Sequence, residues 1–390
     1  MTPALDPDRG GVQRVTCKLT AAFQERGHEL HIFSSEATGH ISLNYAHLHH
    51  PGVSDHTQGS KIKSLLKDCI KQVKPDVIIN QMPYIRDFQN SFHELRTEAP
   101  MLNFFLIGCL HNSLFSVKNN LVDTMRKVLP APIFGLANNV LGRSIYLQLH
   151  RIKNKAKLKE ILKVHDLFVT LTPANINELE YFIPKFDRSK VDWIPNTVSK
   201  VHYSGTERDN ILLHVGRIND GQKRSDLLLP LWKRICEQLP DWKFVIVGDG
   251  PYLKYLESAI EDENIPRIDL TGFKEPQVYY KRAKLFMMPS SFEGFPNTII
   301  EAHSFGLPVF TFNSYPAVSW IVNDGQDSVL SPPYQIEHMA RHIVDTARDS
   351  ERYQKLKNGA WQNAERFTLN AVVENRWEAV FAKKLDQNEA

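Results

Sequence analysis

Short apolar runs alternate with helix-spaced patterns along almost the whole of this 390-residue chain. In the first half, residues 29–34, 76–80, 102–107 and 166–172 are rich in Val, Ile, Leu and Phe and lack polar alternation. A strand that reads this way is covered on both faces, as in a parallel sheet. Between these runs Val12, Val15, Leu19 and Phe23 recur at helix spacing. The second half repeats the scheme at residues 211–215, 244–247, 268–270, 285–288 and 309–312, with glycine-bearing turns and helical patterns between them. Such alternation closes as a parallel sheet with helices on both faces, so the expected fold class is α/β.

The chain is too long for one core of ordinary size, and two domains are expected. The seam is placed between Pro195 and Asn210, where an apolar run at 191–194 gives way to the polar, turn-rich VSKVHYSGTERDN. The predicted division is therefore residues 1–198, residues 199–365 and a C-terminal helix at 366–390. Phe367, Val373, Trp377 and Val380 lie near helix spacing in that last stretch. Each doubly wound sheet opens a ligand site at the carboxyl ends of its strands, and two such sites facing each other across a linker make a cleft.

Composition narrows the function classes. Hydrophobic residues at 42% and charged residues at 23% describe a globular chain, and a formal net charge of +3 is too small to imply a nucleic-acid partner. Cys17, Cys69, Cys109 and Cys236 show neither CxxC nor zinc-like spacing, and read as buried thiols in a reducing compartment. The opening MTPALDPDRGG lacks the charged-then-apolar pattern of a signal peptide. No apolar run approaches the ~18 residues of a membrane span. A cytoplasmic protein is expected. Residues 113–163 fit the alternation less well, because VLPAPIFGLANNVLG is followed by the basic run RIKNKAKLKEILK at 151–163. That run reads either as a solvated helix face or as a peripheral contact with an anionic membrane or a lipid-linked acceptor.

The strongest chemical signal is EGFPNTIIE, Glu293 to Glu301, directly after the run LFMMPS. Pro296 suits a first helical turn, so Glu293 falls in the loop before the helix and Glu301 on its second turn. Backbone N–H groups from Gly294 to Asn297 are expected as open helix-start donors for an oxygen-rich ligand. Carboxylates accept sugar or ribose hydroxyls at fixed geometry. A glycosidase acid–base pair is the competing reading, and it leaves the neighbouring phosphate-type features without a use. A second signal is Gly216-Arg217 after ILLHV, with Lys223 following, where two cations beside a helix start can neutralise a diphosphate without a metal. Arg224 beside Lys223 leaves open which cation reaches the phosphate. Gly10-Gly11, opening the first helix, reads equally as a phosphate approach or a tight turn. Gly248-Asp249-Gly250-Pro251 is a further glycine turn at a strand end. His47-Leu48-His49-His50 reads as a surface loop, and no metal site is assigned. Met287 and Met288 read as core, and Phe292 and Phe295 as core or as lining of the site.

Together these residues resemble the retaining glycosyltransferases of family 4, which have the GT-B architecture. The resemblance runs through GGVQRV, RGHELHIFSS, VGRIND, VGDGP, EGFPNTIIE and GLPVFTF, in the order found there. It implies two Rossmann-like domains facing across a cleft, with the C-terminal helix returning to the first. It also implies transfer of a sugar, with retention, from a UDP- or GDP-sugar to a hydroxyl acceptor such as a lipid-linked or surface-polysaccharide glycan, without cofactor or metal. On that resemblance Arg217 and Lys223 bind the diphosphate with Gly11, and Glu301 holds the ribose. Glu293 and the backbone of Gly294, Phe295, Pro296 and Asn297 hold the donor sugar. Phe273, in TGF, lies where the base is held, and His111, in CLHNS, lies near the reacting sugar. An epimerase of the same fold, or a non-catalytic nucleotide-sugar-binding relative, is the alternative. The family opens with a full strand before its glycine loop, and MTPALDPDRGG carries only fragments of one. The expectation is either a truncated start or a sheet lacking a strand there.

Overall fold

Strand Phe105–Cys109 is buried along its whole length, and its side chains divide between two cores. Phe105, Ile107 and Cys109 join one cluster, while Leu106 joins another. That division is the two-faced burial that the unbroken apolar runs imply. A computed structural model describes residues 1–2, 11–35, 46–49, 59–201 and 208–389. Its strands are β1 (His31–Phe33), β2 (His47–His49), β3 (Val77–Asn80), β4 (Phe105–Cys109), β5 (Leu167–Thr170) and β6 (Val191–Trp193), then β7 (Ile211–Val215), β8 (Lys243–Val247), β9 (Ile268–Gly272), β10 (Leu285–Met288), β11 (Val309–Phe312) and β12 (Ser328–Ser331). The expected runs match these strands closely, and β2 and β12 are additional.

The chain divides into two units. One comprises Met1–Asn112, Ser144–Thr197 and Leu369–Ala390, and the other Ser113–Arg143 and Val198–Thr368. The main seam falls at Thr197–Val198, inside the stretch read as a linker. Ser113–Arg143 joins the second unit, whereas the sequence reading ran the first domain unbroken to residue 198. The second unit ends at Thr368, three residues beyond the 365 expected.

In the first unit β3-β4-β5-β6 form one parallel sheet and β1-β2 a parallel pair. Thr2 bridges to Ser34, while the Met1 ammonium donates to Ile79 O at 2.7 Å and Gln81 N–H donates to Met1 O. These two residues therefore run between β1 and β3. The helix Gly11–Glu25 lays Val15, Leu19 and Phe23 on one sheet face, against Val373, Trp377 and Val380 of the C-terminal segment. Arg376 also covers the Trp193 ring at 3.9 Å, and Lys383 reaches Asp192 at 2.9 Å. Apolar packing and ion pairing both bind the C-terminal segment to this unit.

The second unit is a single parallel sheet in the order β12-β11-β10-β7-β8-β9. In chain order this is the doubly wound 3-2-1-4-5-6 arrangement, whose order reverses between its first and fourth strands. That reversal lies between β7 and β10. Its core packs Leu212, Phe244, Met287 and Phe310 of the sheet with Trp232, Ile343 and Leu356 of helices. Met287 is thus core.

The four cysteines are free thiols; Cys109 and Cys236 are buried, whereas Cys17 and Cys69 are half-buried. No helix among the described residues is long and apolar enough to cross a membrane.

Candidate active site

Ligands of a doubly wound sheet sit outside the carboxyl ends of the strands at the point where strand order reverses. Here the loops leaving β7 and β10 meet there. Ser291, after β10, donates its N–H to Gln222 O at 2.8 Å and its hydroxyl to Gly221 O at 2.9 Å. The loop carrying Lys223 is thereby tied to the loop carrying Glu293, some seventy residues later in the chain. Lys223 Nζ donates to Glu293 Oε1 at 2.6 Å, and Gln222 Nε2 donates to Oε2 at 3.0 Å. Glu293 is buried, with 7% of its side chain exposed, and Lys223 has 17%. A carboxylate this deep is held by its partners, and its two oxygens retain lone pairs for a further hydroxyl.

The backbone settles which cation faces the glutamate. Arg224 has φ +52°, the left-handed conformation, and turns its side chain onto Asp226 at 2.8 Å and over the Tyr334 ring at 4.6 Å. Lys223 is left facing Glu293. Arg217 is exposed and forms no hydrogen bond or ion pair with another described residue. The glycine turn after β8 fixes where Arg217 stands. A Cβ on Gly248 would lie 1.8 Å from Gly216 O, and one on Gly250 would lie 2.2 Å from Ile218 O. Glycine at both positions lets the segment 216–218 lie directly on this turn, where Ile218 N–H donates to Asp249 O at 2.9 Å.

The helix bearing the second glutamate runs Asn297–Ser304, with Glu301 half-buried on its second turn. Tyr280 donates its hydroxyl to Glu301 Oε2 at 3.2 Å. Two details of the expected helix start are corrected. Pro296 stands before the helix rather than in its first turn, with ψ +80°, and as proline has no N–H. Asn297 N–H is already given to Phe295 O at 3.0 Å. The open amides are those of Gly294 and Phe295, which have no partner among the described residues. The Phe295 ring is buried and packs edge-on to Phe367 at 5.8 Å, so it belongs to the core. Phe273, just beyond β9, is 70% exposed and its ring is free to meet a planar ligand.

Sequence reasoning did not single out Gln222, His214 or Tyr315. His214 on β7 gives its Nδ1 to Met287 O at 3.0 Å, while its buried Nε2 has no partner among the described residues. Burial pushes its pKa down to about 4, and Lys223 acts in the same direction. Tyr315, after β11, is fully enclosed, and its hydroxyl is likewise without a described partner. Burial, then the charge of Glu293, raises its pKa well above the ordinary tyrosine value. Nothing local marks these residues in the sequence; the sheet brings them to Glu293 and Lys223.

His111 and Gly11 lie in the first unit. His111 follows β4, half-buried, with Nε2 paired to Gln81 Oε1, and burial pushes its pKa down to about 4. Its ring is neutral at pH 7, with Nε2 as the donor. Gly11 opens the first helix, and Gly10 lies outside the described residues. The histidine run departs from the surface-loop reading. His47–His49 form β2, in register with β1, which places His47 beside His31; His50 lies outside the described residues. Ligand atoms of Glu29, His31 and His47 lie within 4.8 Å of one another. The His31 ring already pairs on both nitrogens, with Glu29 at 3.0 Å and His49 at 3.0 Å.

Two α/β units with parallel sheets, the second doubly wound and the first including the C-terminal segment, define the GT-B glycosyltransferase class of fold. The Anabaena protein HepE, solved in complex with UDP, superposes over 98% of both chains with TM-score 0.70 at 15% identity. Residues 200–362, nearly the whole Val198–Thr368 stretch, match the family model described as glycosyl transferases group 1. An uncharacterized glycosyltransferase of Haemophilus influenzae is 29% identical over 224 residues, 55% of this chain and 61% of that one. The poly(glycerol-phosphate) alpha-glucosyltransferase of Bacillus subtilis is 28% identical over 143 residues, 36% of this chain. The alignments thus span about three fifths of the first relative's length and 21% of the second's.

Proposed function

We propose that this protein transfers a sugar from a nucleoside diphosphate sugar, of the UDP or GDP type, to a hydroxyl acceptor with retention of configuration. The observation that carries the reading is the pairing of half-buried Lys223 with buried Glu293 at the strand-order reversal, beside the uncommitted Arg217. Arg217 forks onto the diphosphate and Lys223 adds a compact charge, so the leaving group needs neither a metal nor a general acid. The donor's C1–O bond breaks with its electron pair on the diphosphate oxygen. The acceptor hydroxyl supplies the oxygen of the new bond, and its proton passes to the departing diphosphate oxygen that took the electron pair. Glu293 takes a donor-sugar hydroxyl on a free lone pair, with the Gly294 and Phe295 amides beside it. Glu301 holds the ribose, and Phe273 lies against the base. His111 and Gly11 are assigned to the reaction by the family resemblance alone, His111 as a neutral hydrogen-bonding group.

The acceptor is a glycan, lipid-linked or part of a surface polysaccharide. The Bacillus relative, whose name gives poly(glycerol phosphate) as acceptor, supports a hydroxyl-bearing polymer as the acceptor. The reaction takes place in the cytoplasm, where nucleotide sugars are available, and needs no cofactor.

The test is a thermal-shift panel of UDP, GDP and ADP with and without sugars, followed by a donor-hydrolysis assay. A base-selective rise in melting temperature with slow sugar release is expected, because ligand binding stabilises the folded state by mass action. Absence of any nucleotide-dependent shift sinks the transferase reading and leaves a fold with another ligand.

A further inference from the structure

The helix Val140–Val164 is unusual in what it leaves uncovered. Leu141, Ile145, Leu149 and Ile152 follow at spacings of four, four and three residues, which places them along one side of a helix. All four are between 51 and 70% exposed. The side chains that this helix buries, Leu158, Ile161 and Val164, fall on the opposite side at 100° per residue. The stripe is therefore not the face by which Leu158, Ile161 and Val164 anchor the helix in the first unit. Val128, Ile133, Leu136 and Val140, on the residues just before, are also more than half exposed.

Charge identifies the occupant. From Thr124 to Lys159 the sequence carries eight Lys and Arg and no Asp or Glu. The remainder of the chain has 39 Lys and Arg against 44 Asp and Glu, so the positive balance of the protein comes from this one segment. Lys153, Lys155, Lys157 and Lys159 are exposed, immediately beyond the stripe. The helix as a whole is apolar on two sides, and only its stretch 141–152 presents an exposed apolar stripe, followed by lysines. That stretch, in a helix too polar to span a bilayer, has the pattern of a segment lying in a membrane interface. A second copy of the chain would set this block of cations against itself, whereas an anionic leaflet neutralises it.

We propose that the Val140–Val164 helix docks the protein on anionic phospholipid, with Leu141, Ile145, Leu149 and Ile152 entering the acyl boundary and the lysines contacting headgroups. This goes beyond the transfer reaction and does not depend on it.

Co-sedimentation of the full chain with vesicles tests the proposal, using phosphatidylcholine alone and phosphatidylcholine with phosphatidylglycerol. Binding is expected to the anionic vesicles only, and to weaken as salt rises. Each lysine near an anionic surface contributes roughly five-fold. Replacing all four lysines by Gln is therefore expected to weaken partition on the order of a hundred-fold or more. Leu149→Glu with Ile152→Glu is expected to weaken it as well, while nucleotide thermal shifts stay as in the parent. Equal binding to neutral and anionic vesicles, or no binding, overturns the proposal. So does light scattering of a dimer that the Leu149→Glu, Ile152→Glu variant dissociates, which would assign the stripe to a second copy. Nucleotide shifts are read separately, so failure at the membrane and failure of the transferase reading are distinguishable.

Discussion

Gly248→Ala tests the link between the sheet and the proposed donor site. The new Cβ would stand 1.8 Å from Gly216 O and 3.0 Å from Gly216 C, both backbone atoms. Ordinary contact begins near 3.4 Å, so about 1.6 Å must be found between two segments pinned to each other. Gly216 N–H donates to Val247 O at 3.0 Å and Ile218 N–H to Asp249 O at 2.9 Å, so neither side yields without losing a ladder bond. Overpacking of this kind costs roughly 1–3 kcal/mol, and a lost bond adds to it. In a unit of this size, ~3 kcal/mol lowers the melting temperature by roughly 6–12 °C. If the chain instead relaxes by moving residues 216–218, Arg217 moves with them. A misplacement of about 1 Å in a positioning group costs on the order of 100-fold in rate. Melting curves and UDP titration of the same sample separate the two outcomes. Gly325→Ala is the control: it shares a positive φ, +69°, but its Cβ would meet nothing within 4 Å. It pays only the left-handed cost of roughly 1–2 kcal/mol and keeps nucleotide affinity. A Gly248→Ala protein with parental melting temperature, nucleotide affinity and rate would refute the reasoning.

The other predictions concern the same unit. Glu293→Ala leaves the half-buried Lys223 and Gln222 without their shared partner and is expected to cost roughly 1–3 kcal/mol, while Glu293→Gln retains the volume and lowers turnover more than UDP or GDP affinity. A double-mutant cycle with Lys223→Met should give a clear coupling energy by denaturant melts; additive effects would mean the pair is not an interacting unit. Arg217→Ala is expected to lose most diphosphate affinity with little change in melting temperature, since the side chain is exposed, and calorimetry that finds unchanged affinity moves the phosphate site elsewhere. Glu301→Ala is expected to weaken nucleotide-sugar binding roughly ten-fold, the scale of one charge-assisted hydrogen bond, whereas Tyr280→Phe, which removes only the phenol bonded to it, should do less. For pH, His214 and His303 have folded pKa values of about 4 and about 3, lowered from 6.5 by burial. The unfolded chain takes up these protons first, so their stabilisation is complete above pH 6.5 and is lost as pH falls toward 4 and below. For His214 alone this is on the order of 3 kcal/mol. His303→Gln should flatten that acid limb in denaturant melts between pH 7 and 4, and an unchanged limb would show that another group sets it.

Strands buried on both faces are legible because burial leaves them no polar positions. Residues 211–215, 285–288 and 309–312 coincide with β7, β10 and β11 for that reason. β2 is His-Leu-His and β12 is Ser-Val-Leu-Ser, too short and polar to register as apolar runs, and pairing with β1 and β11 makes them strands. Glu293 and Glu301 stand out because their spacing across a helix start is a local property. Gln222 and Tyr315 do not, because only the order of the strands brings them to Glu293. Adjacent basic residues 223 and 224 are equivalent as text, and the left-handed turn at Arg224 is what separates them. The same holds for residues 113–163. Their charge is visible in the sequence, but whether Leu141, Ile145, Leu149 and Ile152 face a core or water depends on which side of the helix the sheet occupies. Composition and periodicity therefore determined the α/β class, the strand positions and the carboxylates and cations on offer. Tertiary structure decided which of them meet, since side chains far apart in sequence acquire a common address only through strand order and backbone conformation.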